Sequence, residues 1–162
     1  MLFRSGYAAA GDELLAQVPD LRHVVVALGS GGTMAGLVGA LGAHRVLGVH
    51  CGAVADPRAT VAGLLEDAVA ADDLRIRTDQ VGTSYADLAE PAWQAVLLAA
   101  RTTGLVLEPT YTGRALAGLA AAVADGDIEP GQRTVLVHTG GLPGLFGHPG
   151  ARRRLSADAA AG

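Results

Sequence analysis

Apolar and polar positions along this chain follow two different periods. Val24, Val25, Val26, Ala27 and Leu28 form an unbroken apolar run, β-branched at its start. RVLGVHC (residues 45–51) and the run over residues 134–138 are built the same way. Continuous runs of this kind read as strands buried on both faces, which is the signature of a parallel sheet. Between them the apolar spacing turns helical. Residues 6–18 place Tyr7, Ala10, Leu14 and Leu15 on one side and stop at Pro19. A second helix is predicted over 32–41 and ends at Gly42. A third starts at the cap Asp56 and Pro57 and runs through Val61, Leu64, Leu65 and Val69. After a short strand at 74–77 and a polar loop at 78–86, Asp87 is expected to cap a long helix with Trp93, Val96, Leu97 and Ala100, closed by Gly104. One more helix opens at Thr110, runs through Leu116, Leu119 and Val123, and breaks at Asp125-Gly126.

Strands alternating with helices predict an α/β fold with a parallel sheet. Ligands in such sheets sit beyond the carboxyl ends of the strands. That rule gathers Tyr85, Tyr111, Thr139 and the turn after the first strand on one rim. The turn is Gly29-Ser30-Gly31-Gly32-Thr33, and it leads into a helix of small apolar residues. Glycines let backbone N–H groups approach a ligand, the helix N-terminus favours an anion, and Ser30 and Thr33 add hydroxyls. The reading is a phosphate cradle, against a plain βα turn. No lysine follows the last glycine, so it is not a Walker P-loop. Met34 stands at the third glycine of a dinucleotide fingerprint, and the first downstream acid, Asp56, comes late.

Composition narrows the chemistry. The 162 residues are one domain's worth of chain, half of them apolar, with 17% charged and a net charge of −4. Nothing invites nucleic acid or an anionic membrane. Cys51 stands alone and is expected in the core, which fits a reducing cytoplasm. No apolar run spans a bilayer, and Met1 to Ser5 lead into no signal sequence. His138 is expected in the core, and the histidines show no metal-ligand spacing. No lysine occurs anywhere, so this chain cannot itself supply an ε-amino group.

Together, GSGGTMAG, VGTSY, LLAARTTGLVLEPTYTGRALAGL and VHTGGLPGLFG resemble the D-cysteine desulfhydrase and 1-aminocyclopropane-1-carboxylate deaminase family. These are pyridoxal-phosphate enzymes of the tryptophan-synthase β-like fold (fold type II). The resemblance runs from Gly6-Tyr7 to about Gly147. It implies a three-layer, mostly parallel sheet with helices on both faces, the C-terminal part of the family's large domain. Gly29, Ser30, Gly31, Gly32 and Thr33 resemble the cofactor-phosphate loop. Tyr85 and Tyr111 resemble the two active-site tyrosines, and Thr112 and Thr139 fall where groups stand near the pyridine nitrogen. Ser84 and Ala86 flank Tyr85 where the family's loop has glycines.

The lysine that holds the cofactor as a Schiff base belongs to the family's N-terminal part, which the expectation leaves out of this chain. The same resemblance implies a homodimer in the full-length enzyme and a small amino acid as substrate. The deaminase pattern has a glutamate directly after the second tyrosine; Thr112 stands there, which favours β-elimination from D-cysteine over ring opening. Rival readings are a stand-alone phosphate- or cofactor-binding module, a nucleotide-binding domain and a non-catalytic piece that docks onto a complementary chain. Residues 1–150 are read as one domain and residues 151–162 as a loose Arg- and Ala-rich tail.

Overall fold

A computed structural model describes the backbone of residues 2–161 and the side chains of residues 6–157. The leader reading of Met1–Ser5 and the end of the tail, residues 158–162, lie outside the described side chains. Among the described residues, seven α-helices and four strands follow in the order α1 (Leu2–Gln17), β1 (Leu21–Leu28), α2 (Gly32–Leu41), β2 (Val46–His50), α3 (Pro57–Leu64), β3 (Arg75–Arg77), α4 (Glu90–Thr103), α5 (Thr112–Ala124), β4 (Arg133–Leu136), α6 (Leu142–Gly147) and α7 (Pro149–Ala161). The sheet is parallel throughout in the order β3-β2-β1-β4, with Val24 opposite Val46 and Val135.

The β1 run is apolar without a break because both of its faces are covered. Val24, Val26 and Leu28 pack with Met34, Leu37, Val38 and Leu41 of α2, and Tyr7, Leu14 and Leu15 of α1 close over that cluster. Val25 points the other way, joining Leu47, Val49, Ala122 and Ile128 under α5. At about 1.5–3 kcal/mol for each fully buried aliphatic side chain, these two layers dominate what holds the sheet. Outside α5 lies α4, through Trp93, Val96 and Ala99 packed with Leu107, Leu145 and Ala151. Among the described residues no helix is long and apolar enough to cross a membrane.

Four local expectations are corrected. The third helix stops at Leu64 because Glu66 and Asp67 adopt left-handed backbone angles, φ 57° and 55°. Asp87 does not cap α4, whose cap is Ala89; its carboxylate accepts the Thr83 N–H instead, at 2.9 Å. His138 is exposed, with Nδ1 accepting the Gly140 N–H and Nε2 donating to the Val106 carbonyl. The 151–162 tail, expected to be loose, lies in α7 as far as Ala161. His148 Nδ1 accepts the Gly150 and Ala151 N–H groups at its start, and Ala151 is fully buried.

Candidate functional site

Parallel pairing puts the carboxyl ends of all four strands on one edge, and the chain's glycine turns fall there. Residues 29–33 leave β1, Cys51 ends β2, and Thr139, Gly140 and Gly141 follow β4. Gly31 is the N-cap of α2 with φ 90° and ψ −17°, a left-handed conformation in which a side chain is strained. No side chain caps α2, so its first N–H groups face the open end of the sheet. Among the described residues, neither the Ser30 nor the Thr33 hydroxyl has a hydrogen-bond partner. A Cβ built on Gly32 would meet nothing within 4 Å.

The turn forms one wall of a cleft of about 740 Å³. Tyr85, Tyr111, Thr112 and Thr139 line it as well, so every site residue expected from the sequence borders one space. The cleft also includes Glu108, which sequence reasoning passed over as the end of an apolar piece. Its side chain is 3% exposed. Oε1 accepts the Tyr111 and Thr112 N–H groups, both at 2.7 Å, and Oε2 accepts the Thr110 N–H at 2.8 Å. The carboxylate thus satisfies the start of α5, where the helix dipole favours a negative charge. An acidic residue, a proline and then a helix of small residues was the available signal.

Glu108 also fixes the neighbouring groups. Thr112 Oγ1 accepts the Glu108 N–H at 3.0 Å and donates to Oε1 at 3.3 Å. Gly141 and Gly144 press on the Glu108 stem, leaving no room for a Cβ on Gly141.

The two phenols meet. The Tyr85 and Tyr111 hydroxyls hydrogen-bond to each other, and their rings stand edge to face at 5.9 Å with 71° between planes. Tyr111 also lies across Gly29, its ring 3.0 Å from where a Cβ would stand. The hydrogen bond to Tyr85, together with partial burial, pushes the Tyr111 hydroxyl up to about 12. At neutral pH Tyr111 therefore holds its proton. Cys51, behind the cleft, is fully buried with its thiol donating to the Val49 carbonyl at 3.3 Å. Burial pushes that thiol up to about 12, so it is a core residue and not a nucleophile.

The sequence signature of the family described as "Pyridoxal-phosphate dependent enzyme" matches residues 1–140. A D-cysteine desulfhydrase of Salmonella schwarzengrund is 33% identical over 89% of this chain and 48% of its own length. A 1-aminocyclopropane-1-carboxylate deaminase of Burkholderia cenocepacia is 29% identical over 91% of this chain and 49% of its own length. A crystal structure of an ACC deaminase homologue superposes with a TM-score of 0.76 at 25% identity, over 94% of this chain and 49% of that one. The chain spans about half the length of the curated relatives it matches.

Proposed function

The chain belongs to the pyridoxal-phosphate-dependent enzyme family, and on that premise we propose that it forms the phosphate- and ring-binding part of a lyase that eliminates sulfide from D-cysteine, giving pyruvate and ammonia. The residues present fit the cofactor's phosphate: an uncapped helix start, a glycine turn without a Cβ in the cleft, and two hydroxyls with no protein partner. Ser30, Thr33 and the first N–H groups of α2 would hold that phosphate. Thr139 would offer its hydroxyl to the ring nitrogen, and Thr112 could do so only by turning its hydroxyl away from Glu108. When bound, pyridoxal phosphate supplies an electron sink for loss of the α-proton of an amino acid. Tyr85 and Tyr111 hold a proton at their phenol oxygens in the same cleft and are the groups to move it. The amine that bonds the cofactor comes from outside these 162 residues, which contain no lysine.

One observation carries the choice of reaction. Glu108 is the single carboxylate among the described lining residues, and its oxygens are taken by the N–H groups of Thr110, Tyr111 and Thr112. Hydroxyls can hydrogen-bond a neutral ring nitrogen but do not stabilise a full positive charge on it as a free carboxylate would. The sink is then weak and suits a good leaving group such as thiolate. This chain should be joined to the N-terminal half of the Salmonella desulfhydrase and assayed for sulfide from D-cysteine and for ring opening of 1-aminocyclopropane-1-carboxylate. Sulfide release is expected to dominate, and Thr112→Glu to raise ring opening relative to it. Preference for the cyclopropane substrate with Thr112 in place would transfer the reading to the deaminase.

A further inference from the structure

Arg114 is fully buried, and no carboxylate hydrogen-bonds its guanidinium. Nη1 donates to the Cys51 carbonyl at 2.5 Å. Nη2 donates to the carbonyls of Ser84, Tyr85 and Asp87 at 3.1, 3.2 and 2.8 Å. Nε has no partner. A buried cation whose hydrogen bonds all go to carbonyls, with the Asp87 carboxylate near it but not bonded to it, is a poor device for stability, since an apolar side chain of similar volume fills the space without the desolvation penalty. What the fork does is geometric: from α5 it joins the end of β2 to three carbonyls of one short segment. That segment needs it. Residues 82–86 are exposed and lie in no helix or strand. Among the described residues, their other ties are the Asp87 N–H to Ser84 carbonyl bond and the Thr83 N–H to Asp87 carboxylate bond. Tyr85 sits in the middle of them, and Arg114 stands three residues after Tyr111, on the helix that Tyr111 opens.

We infer that Arg114 is the positioning residue for Tyr85: its guanidinium holds the 84–87 backbone against the end of β2 and so brings the Tyr85 phenol to that of Tyr111. The importance of the pair for catalysis rests on the proposed cofactor site; the positioning itself does not, and is measured without cofactor.

The readout is the ionisation of Tyr111, which faces Tyr85, Glu108 and Cys51. With the chain labelled at tyrosine Cζ, carbon NMR follows each phenol separately. Tyr111 titrating near 12 leaves about one-tenth of it ionised at about pH 11, against about nine-tenths for an ordinary tyrosine near 10. Because burial and the Glu108 and Cys51 charges would still hold Tyr111 somewhat up, Arg114→Met and Arg114→Lys are each expected to raise the ionised fraction severalfold, short of the full return to an ordinary tyrosine. Lysine carries one point charge with no fork and should not rescue. Tyr85→Phe should do the same, and adding Arg114→Met to it should change nothing more. An unaltered Tyr111 titration in a folded Arg114→Met chain overturns the proposal, as does an Arg114 effect that persists without the Tyr85 hydroxyl.

Should both Arg114 variants fail to fold, the unmodified chain decides. Separate Arg114 Nη proton signals, protected from solvent and close to the 84–87 α-protons, support the grip; averaged, fast-exchanging signals overturn it. A chain that binds no phosphate yet shows the phenol coupling keeps this inference and loses the cofactor reading, and the converse result does the opposite.

Discussion

Gly32 separates binding from folding more cleanly than any other position in the turn. It is the first residue of α2 and opens on the cleft, so an aspartate there meets no steric obstacle. A carboxylate at a helix start stabilises the helix by about 0.3–1 kcal/mol, yet repels a phosphate from the same N–H groups. Gly32→Asp is therefore expected to melt no lower than the parent and to lose binding of inorganic phosphate and pyridoxal phosphate in calorimetric titration; unchanged affinity would refute the cradle. At the alkaline end, Tyr111 and Cys51 both have ionisations raised by the fold, to about 12. Their unfolded forms lose protons first, so the stability they contribute is complete below about pH 8.5 for the thiol and about pH 10 for the phenol, and is lost as pH rises towards 12. Denaturant midpoints should fall across that window, and fall less in Tyr85→Phe, whose Tyr111 has lost the hydroxyl that raises it most.

The helices reach the sheet by giving up side chains. Gly118 of α5 lies on β2 so closely that the Val49 side chain occupies the place a Cβ would take. Gly48 of β2 gives the same room to Met34 on the opposite face. These contacts set how near α5 and α2 come to the sheet, and so where the N-termini of both helices stand around the cleft. Helix propensity alone would make Gly118→Ala stabilising by about 0.5–1 kcal/mol. Overpacking against a β-branched strand residue costs about 1–3 kcal/mol and should win. A net loss in urea unfolding is expected, and a net gain would show that α5 can move off the sheet.

At the scale of the molecule, several large apolar side chains of the described residues are open to solvent. β4 pairs on one side with β1, and Leu105, Val106, Leu142 and Phe146 are 41–61% exposed. An apolar groove lined by Ala10, Leu14, Val135 and Val137 runs between α1 and β4. Such surface predicts binding of a hydrophobic dye by the natively folded chain, with fluorescence that falls when a complementary half from a relative is added; a folded chain that leaves the dye dark would count against it. The α/β class, the parallel sheet, α2 with its glycine turn and the stop at Gly104 were legible along the chain. Each is fixed locally, by an apolar period, a proline or a glycine. The sequence also put Tyr85, Tyr111, Thr139 and the glycine turn on one rim, because strand ends in a parallel sheet share one edge; Thr112 came only from the family resemblance. Three things needed the tertiary structure. Glu108 reads as the end of an apolar run until α5 turns its N–H groups onto the carboxylate. Arg114 has nothing in its sequence surroundings to single it out until the Tyr85 segment folds over it. Residues 151–162 read as a loose tail, because Ala151 becomes a core residue only when Trp93 and Leu145 are beside it. Contacts between residues far apart in the chain leave no periodic trace, and burial of a small or charged side chain is decided by what the fold brings to it.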